Sequence, residues 1–177
     1  MKLRIATAML LAATLCHAQP SLAADEPPAN PLDVVPDKMP FAPPYGAPIS
    51  AQRAQDLIKA AVAEATKRGW AMNVAVVDSG ANLVAFERMD GAQLASIAVS
   101  QHKARVAAKF RRPTKAFEDA VQKNGFNYIL TLDDVVASRG GIPLIEDGKL
   151  IGAIGCSGGT GSQDEVACTA AAGLVNK

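Results

Sequence analysis

The stretch Gly155-Cys156-Ser157-Gly158-Gly159-Thr160-Gly161-Ser162-Gln163-Asp164-Glu165 decides between two kinds of fold. Its first five residues fit G-x-S-x-G, the nucleophile elbow of parallel-sheet hydrolases, in which a serine stands exposed on a tight strand-to-helix turn. That reading needs a general base, and in those enzymes the acid and the histidine follow the serine along the chain. Twenty residues follow Ser157 and none is a histidine. A phosphate-binding loop would need Gly-Lys-Ser or Gly-Lys-Thr at the helix start, and a dinucleotide site would need a third glycine and a following strand. Neither pattern is present. What remains is a strand that runs into glycines and then into a helix starting near Ser162, with Ser162-Gln163-Asp164-Glu165 as its capping box. The glycines then make either a sharp turn alone or a turn whose Gly158 and Gly159 N–H groups, beside a helix N-terminus, contact a small anion.

Working outward, residues 142–145 and 150–156 are β-type runs around Glu146-Asp147-Gly148-Lys149, an Asp-Gly hairpin turn. A second pair, residues 72–77 and 82–88, flanks Asp78-Ser79-Gly80-Ala81 and reads as another hairpin. Ser50 caps a helix whose Ala54, Leu57, Ile58, Ala61, Val62 and Ala65 recur at helical spacing, ended by Lys67-Arg68-Gly69. Residues 92–109 hold Ala and long side chains with no Gly or Pro, so a second long helix is predicted, stopped by Pro113. Residues 115–125 read as a short helix ending at Gly125, and residues 126–141 as a loop with one helical turn. Hairpins imply antiparallel pairs, and the strand–helix alternation of a parallel sheet is missing. The fold class is therefore α+β: a two-layer domain with an antiparallel sheet from two hairpins and helices packed on it.

The start of the chain reads differently. Lys2 and Arg4, the apolar run of residues 5–15 and the small residues around Ser21-Leu22-Ala23-Ala24 form the three regions of a secretory signal peptide over residues 1–24. The run is too short to span a bilayer, and Leu15 before Cys16 is too large for a lipoprotein signal. The mature chain is thus expected to be soluble, free of membrane, and periplasmic or secreted. Residues 25–48 carry eight of the 11 prolines and form an extended linker, or an arm that packs on a neighbouring subunit. Residues 49–177 form the domain. Removing the leader leaves 16 Lys+Arg against 17 Asp+Glu, a balance that attracts no nucleic acid. It also leaves one histidine, His102, and two cysteines, Cys156 and Cys168. In an exported chain these two are expected either to form a bridge from the strand to the following helix or to stay as two free thiols.

Several stretches together carry a resemblance. They are Gly152 to Gly161 with Gln163-Asp164, Val76-Val77-Asp78-Ser79-Gly80, residues 83–90, Lys103-Ala104-Arg105, Arg112-Pro113-Thr114 and Gly140-Gly141-Ile142-Pro143. In these the chain from about Ile49 onward resembles the GlcG/HbpS family of haem-binding proteins, which is related to the C-terminal domain of PduO. The resemblance implies a profilin-like α+β domain, a homo-oligomer from dimer to octamer, and haem as cofactor. It also implies, for some members, slow haem degradation or an exported role in sensing haem or oxidative stress.

Haem asks for an apolar slot, an axial ligand and cationic partners for its propionates. His102 is the candidate metal ligand, sharing a helix face with Ala95, Val99 and Val106. Thr114, in the Pro-Thr segment that the resemblance puts near haem, is the alternative oxygen ligand, and Met89 is a third candidate. Lys109, Arg111 and Arg112 form a cationic cluster, read either as propionate partners or as a solvated helix end. One histidine and no CxxC leave too few ligands for a standard zinc site, and no second histidine activates Cys156. Catalytic residues are not identifiable. The leading expectation is an exported haem-binding protein for storage, sensing or slow breakdown. The alternatives are a protein that binds a small carboxylate at the Gly155 to Ser162 loop, and a structural oligomer whose Pro-rich arm binds a partner.

Overall fold

The computed structural model describes residues 30, 34–35, 37–39 and 42–176. The signal-peptide reading of residues 1–24 and most of the Pro-rich stretch fall outside them. In the unit Met1–Met39 the described Val34, Val35 and Met39 are exposed; everything below concerns the unit Pro40–Lys177.

Helix α1 (Ala51–Lys67) begins where Ser50 accepts from the Arg53 N–H, and it buries Ala54, Leu57, Ile58, Ala61 and Ala65. Strands β1 (Asn73–Asp78) and β2 (Leu83–Arg88) form the first hairpin. Asp78 holds the turn by accepting from the N–H groups of Gly80 and Asn82, and Ala81 takes the left-handed backbone with φ 64°. Helix α2 (Ala95–Lys109) starts three residues later than expected from Ala92. Gly91, at φ 78°, breaks the chain there. Helix α3 (Lys115–Gln122) ends before Gly125, and a single 3-10 segment, Asn127–Thr131, supplies the helical turn of the irregular region. Strands β3 (Gly141–Glu146) and β4 (Lys149–Ser157) make the second hairpin, with Asp147 and Gly148 both at positive φ as a two-residue turn of this hand requires. Helix α4 (Gly161–Ala172) is capped by Thr160 with Gln163, not by Ser162 with Glu165; Gln163 returns its carboxamide oxygen to the Thr160 N–H at 2.8 Å.

The two hairpins join through β1 and β4 into one antiparallel sheet, in the order β2-β1-β4-β3. The α+β class and its two hairpins are as the sequence indicates, and helices cover both faces of the sheet. Val74, Val76, Ile154 and Cys156 pack with α1 and α4, whereas Ala75, Val77 and Ala153 pack with Ala104, Ala107 and Ala108 of α2. Opposite β3, Leu144 pairs with Gly152 and Ile145 with Leu150, so Ile151 is an extra residue. This bulge reverses the alternation, turning Leu150 toward α2 and Ile151 toward α1 and α4.

The end of the Pro-rich stretch is a strap on the chain's own domain. Leu150 N–H donates to Pro44 O at 2.8 Å and Gly46 N–H to Leu150 O at 2.7 Å. The Tyr45 hydroxyl donates to Lys109 O at 2.8 Å. Ordered packing thus starts before Ile49. Among the described residues no helix is long and apolar enough to cross a membrane.

Cys156 and Cys168 are bridged, with Cα atoms 5.7 Å apart, and both are fully buried. The bridge ties β4 to α4 across 12 positions. A loop of that size predicts a loss of roughly 2–3 kcal/mol on reduction. Denaturant midpoints with and without reductant read this, and equal midpoints would contradict it.

Candidate functional site

After Pro113 the chain turns from α2 into α3, and aromatic residues gather between α3 and the 3-10 segment. Phe110 meets Phe117 edge-on, with centroids 5.0 Å apart. Phe126 lies 6.2 Å from Tyr128. Behind them Val106, Phe117 and Ile129 form a small buried cluster. A cleft of about 330 Å³ opens here, walled by Phe110, Phe117, Phe126, Ile129 and Leu132, with the small Ala116 and Ala120 leaving room and Arg112 and Tyr128 completing its lining.

Two anchors hold this wall. Thr114 N–H donates to Gly141 O at 3.0 Å, and Gly141 N–H donates back to Thr114 Oγ1 at 2.9 Å, pinning the start of α3 to β3. Glu118 of α3 receives the Arg139 backbone N–H at 2.7 Å and its guanidinium at 2.6 Å. The hydrogen bond from Arg139 holds the Glu118 carboxyl below the usual carboxylate range.

The structure separates the expected cationic cluster. Lys109 pairs with Asp134 at 2.6 Å, and that bond lowers the Asp134 carboxyl. Arg111, at φ 54°, turns to the strap, donating to Pro43 O at 3.3 Å and lying 5.2 Å from the Tyr45 ring. Only Arg112 reaches the cleft, its Nε donating to Phe110 O at 3.2 Å. The iron-ligand candidates are likewise dispersed. Thr114 is fully buried and its oxygen is taken by Gly141. Met89 packs on the core, with its sulfur accepting from Met72 N–H. His102 is half-buried, near enough to Asp134 to act on its charge, and outside the cleft lining. Of the face expected to hold His102, Val106 is buried, Val99 half-buried and Ala95 exposed, while α2 also buries Ser96, Ser100, Lys103, Ala104, Ala107 and Ala108.

The glycine loop answers its question from within. Ser157 is buried and its hydroxyl donates to Ser96 Oγ at 3.0 Å, so it is no exposed nucleophile. The Gly158 and Gly159 N–H groups do meet an anion, and it is the chain's own Asp164: Gly159 N–H donates to Asp164 Oδ1 at 3.0 Å, and Gly158 N–H adds to this. Asp164 Oδ2 lies 2.7 Å from Lys103 Nζ, which also donates to Cys156 O at 3.3 Å. Lys103 is 1% and Asp164 2% exposed. Burial pushes the Asp164 carboxyl above its ordinary value, against the pull of Lys103 and the two glycine N–H groups. The Gly158 and Gly159 N–H groups, read from the sequence as contacts for a small anion, are thus engaged by Asp164. Sequence reasoning passed over this pair; the signal was a lysine on the α2 stripe without an acid on the same helix.

Residues 49–173 match the family described as haem degrading protein HbpS-like. Protein GlcG of Escherichia coli K12 is 41% identical over 109 residues, which are 62% of this chain and 81% of that one. The PduOC:haem complex superposes with a TM-score of 0.67 at 29% identity, over 73% of this chain and 96% of that chain. HbpS superposes with a TM-score of 0.69 at 26% identity, over 75% of this chain and 93% of its own.

Proposed function

The chain belongs to the HbpS-like family, and from that membership together with the aromatic cleft we propose that it is a haem-binding protein. The observation that carries the reading is the cleft: five apolar walls, four of its nine lining residues aromatic, and Arg112 as its one cation. Such a lining suits a flat apolar ring with a carboxylate at its edge. The volume, about 330 Å³, lies at the low end of ligand pockets and receives part of the macrocycle. When bound, haem would supply an iron centre for ligand and redox chemistry. The chain's own residues do the holding: Phe110, Phe117 and Phe126 exclude water from the ring face, and Arg112 pairs with a propionate.

The leader-like start supports an exported, periplasmic or secreted setting, and the family description supports haem breakdown, with storage or sensing as the other roles proposed for a haem-binding chain. Assembly into a homo-oligomer rests on the same membership and is read by light scattering, with a monomer at micromolar concentration as the contrary result.

Haemin added to the purified apo-protein is expected to give a saturable Soret change. Arg112→Ala should weaken affinity about tenfold, the effect of losing roughly 1.4 kcal/mol of charge-assisted pairing, without moving the band. Arg111→Ala, a change on the strap side, should alter affinity less. Absence of any saturable change in the wild type would overturn the haem reading.

A further inference from the structure

Haem iron needs an axial donor, and the cleft narrows the choice by chemistry. Of its nine lining residues only Arg112 and Tyr128 carry polar side chains. A guanidinium stays protonated and has no lone pair to give. Tyr128 is half exposed, and among the described residues its hydroxyl has no hydrogen-bond partner, unlike the Tyr45 hydroxyl, which is spent on Lys109 O. Its backbone is fixed within the 3-10 segment, where the Thr131 hydroxyl donates to Tyr128 O at 2.6 Å. The other donors are used or lie elsewhere: Met89 sulfur receives Met72 N–H, Thr114 oxygen receives Gly141 N–H, and His102 is outside the cleft lining.

We propose that Tyr128 is the protein ligand to ferric haem iron in the aromatic cleft, whose lining it shares with Arg112. This rests on the haem-binding reading above. To hold the iron, Tyr128 would give up its hydroxyl proton to solvent as its oxygen bonds the metal, an exchange that requires no oxidant or reductant. Oxygen ligation by tyrosine is one of the recognised ways of holding haem iron.

Resonance Raman spectra of the ferric haem complex of the full chain, excited in the phenolate-to-iron charge-transfer band, should show iron-bound tyrosine modes. Tyr128→Phe should abolish those modes, shift the visible bands and weaken haemin affinity about tenfold or more. His102→Ala should leave the modes and bands in place. Tyr128 is half exposed, so its phenylalanine variant is expected to fold. Haemin binding without tyrosinate modes in the wild type, or modes that survive Tyr128→Phe, would overturn the ligand assignment while leaving the haem-binding reading intact. Failure of the wild type to bind haemin would overturn both.

Discussion

Lys103→Ala is expected to destabilise the protein by about 3–5 kcal/mol, because it leaves the Asp164 carboxylate buried without its counter-charge. The loss should depend on pH in a defined direction. Burial already raises Asp164, and without Lys103 the rise is greater, so the folded variant holds a proton that the unfolded chain releases at the ordinary carboxyl value. The stability this group gives the variant is therefore present in acid and is lost as pH rises through the raised value. Denaturant midpoints near neutrality and in mild acid measure it. Lys103→Met combined with Asp164→Asn, which keeps an acceptor for Gly159 N–H, should recover much of the loss. A single-variant cost below about 1 kcal/mol would show that the pair is not a structural anchor.

Gly155→Ala should cost about 3 kcal/mol or prevent folding, at the upper end of overpacking effects. A Cβ at Gly155 would stand 2.1 Å from Ser100 O and 2.6 Å from Ala104 N, and both are backbone atoms of α2. The helix cannot yield locally, since one turn on the Lys103 carbonyl is equally close to Gly141, where a Cβ would lie at 2.3 Å. Gly159→Ala is the contrast within the same loop. Its Cβ would meet the end of the Gln163 side chain at 2.5 Å, which can move aside, so the expected cost is below that of Gly155→Ala. Similar thermal midpoints for the two variants would refute the close-packing account.

These two glycines mark what the sequence could tell. Both hairpins, the Ser50 cap and the Asp147-Gly148 turn were legible because each depends on neighbours within a few residues. The shift of the last helix cap from Ser162 to Thr160 was not, because Glu165, the expected reciprocal partner, is drawn to Arg139 at 3.4 Å. The face of α2 was legible at the buried Val106 and not at the exposed Ala95, for a tertiary reason. The helix lies on Gly155 and Gly141, so its buried stripe selects small residues plus Lys103, whose acid sits 61 positions away. Composition favoured His102 for the same helix only by its rarity. The aromatic cleft was the least legible part, since Phe110, Phe117, Phe126 and Tyr128 come from the end of α2, from α3 and from the irregular segment, and share no period. The two arginines were adjacent in sequence and opposite in destination because Arg111 occupies a left-handed turn at φ 54°.

The central claim is that haem occupies this cleft, and the most direct measurement is a haemin titration that compares the wild type with Ala120→Trp, a variant that fills the cleft from its half-buried small-residue lining. The account predicts a saturable Soret change in the wild type and an affinity at least about tenfold weaker in Ala120→Trp, with the far-UV spectrum of the fold retained. An Ala120→Trp protein that keeps its fold and binds haemin with the affinity and spectrum of the wild type would contradict it.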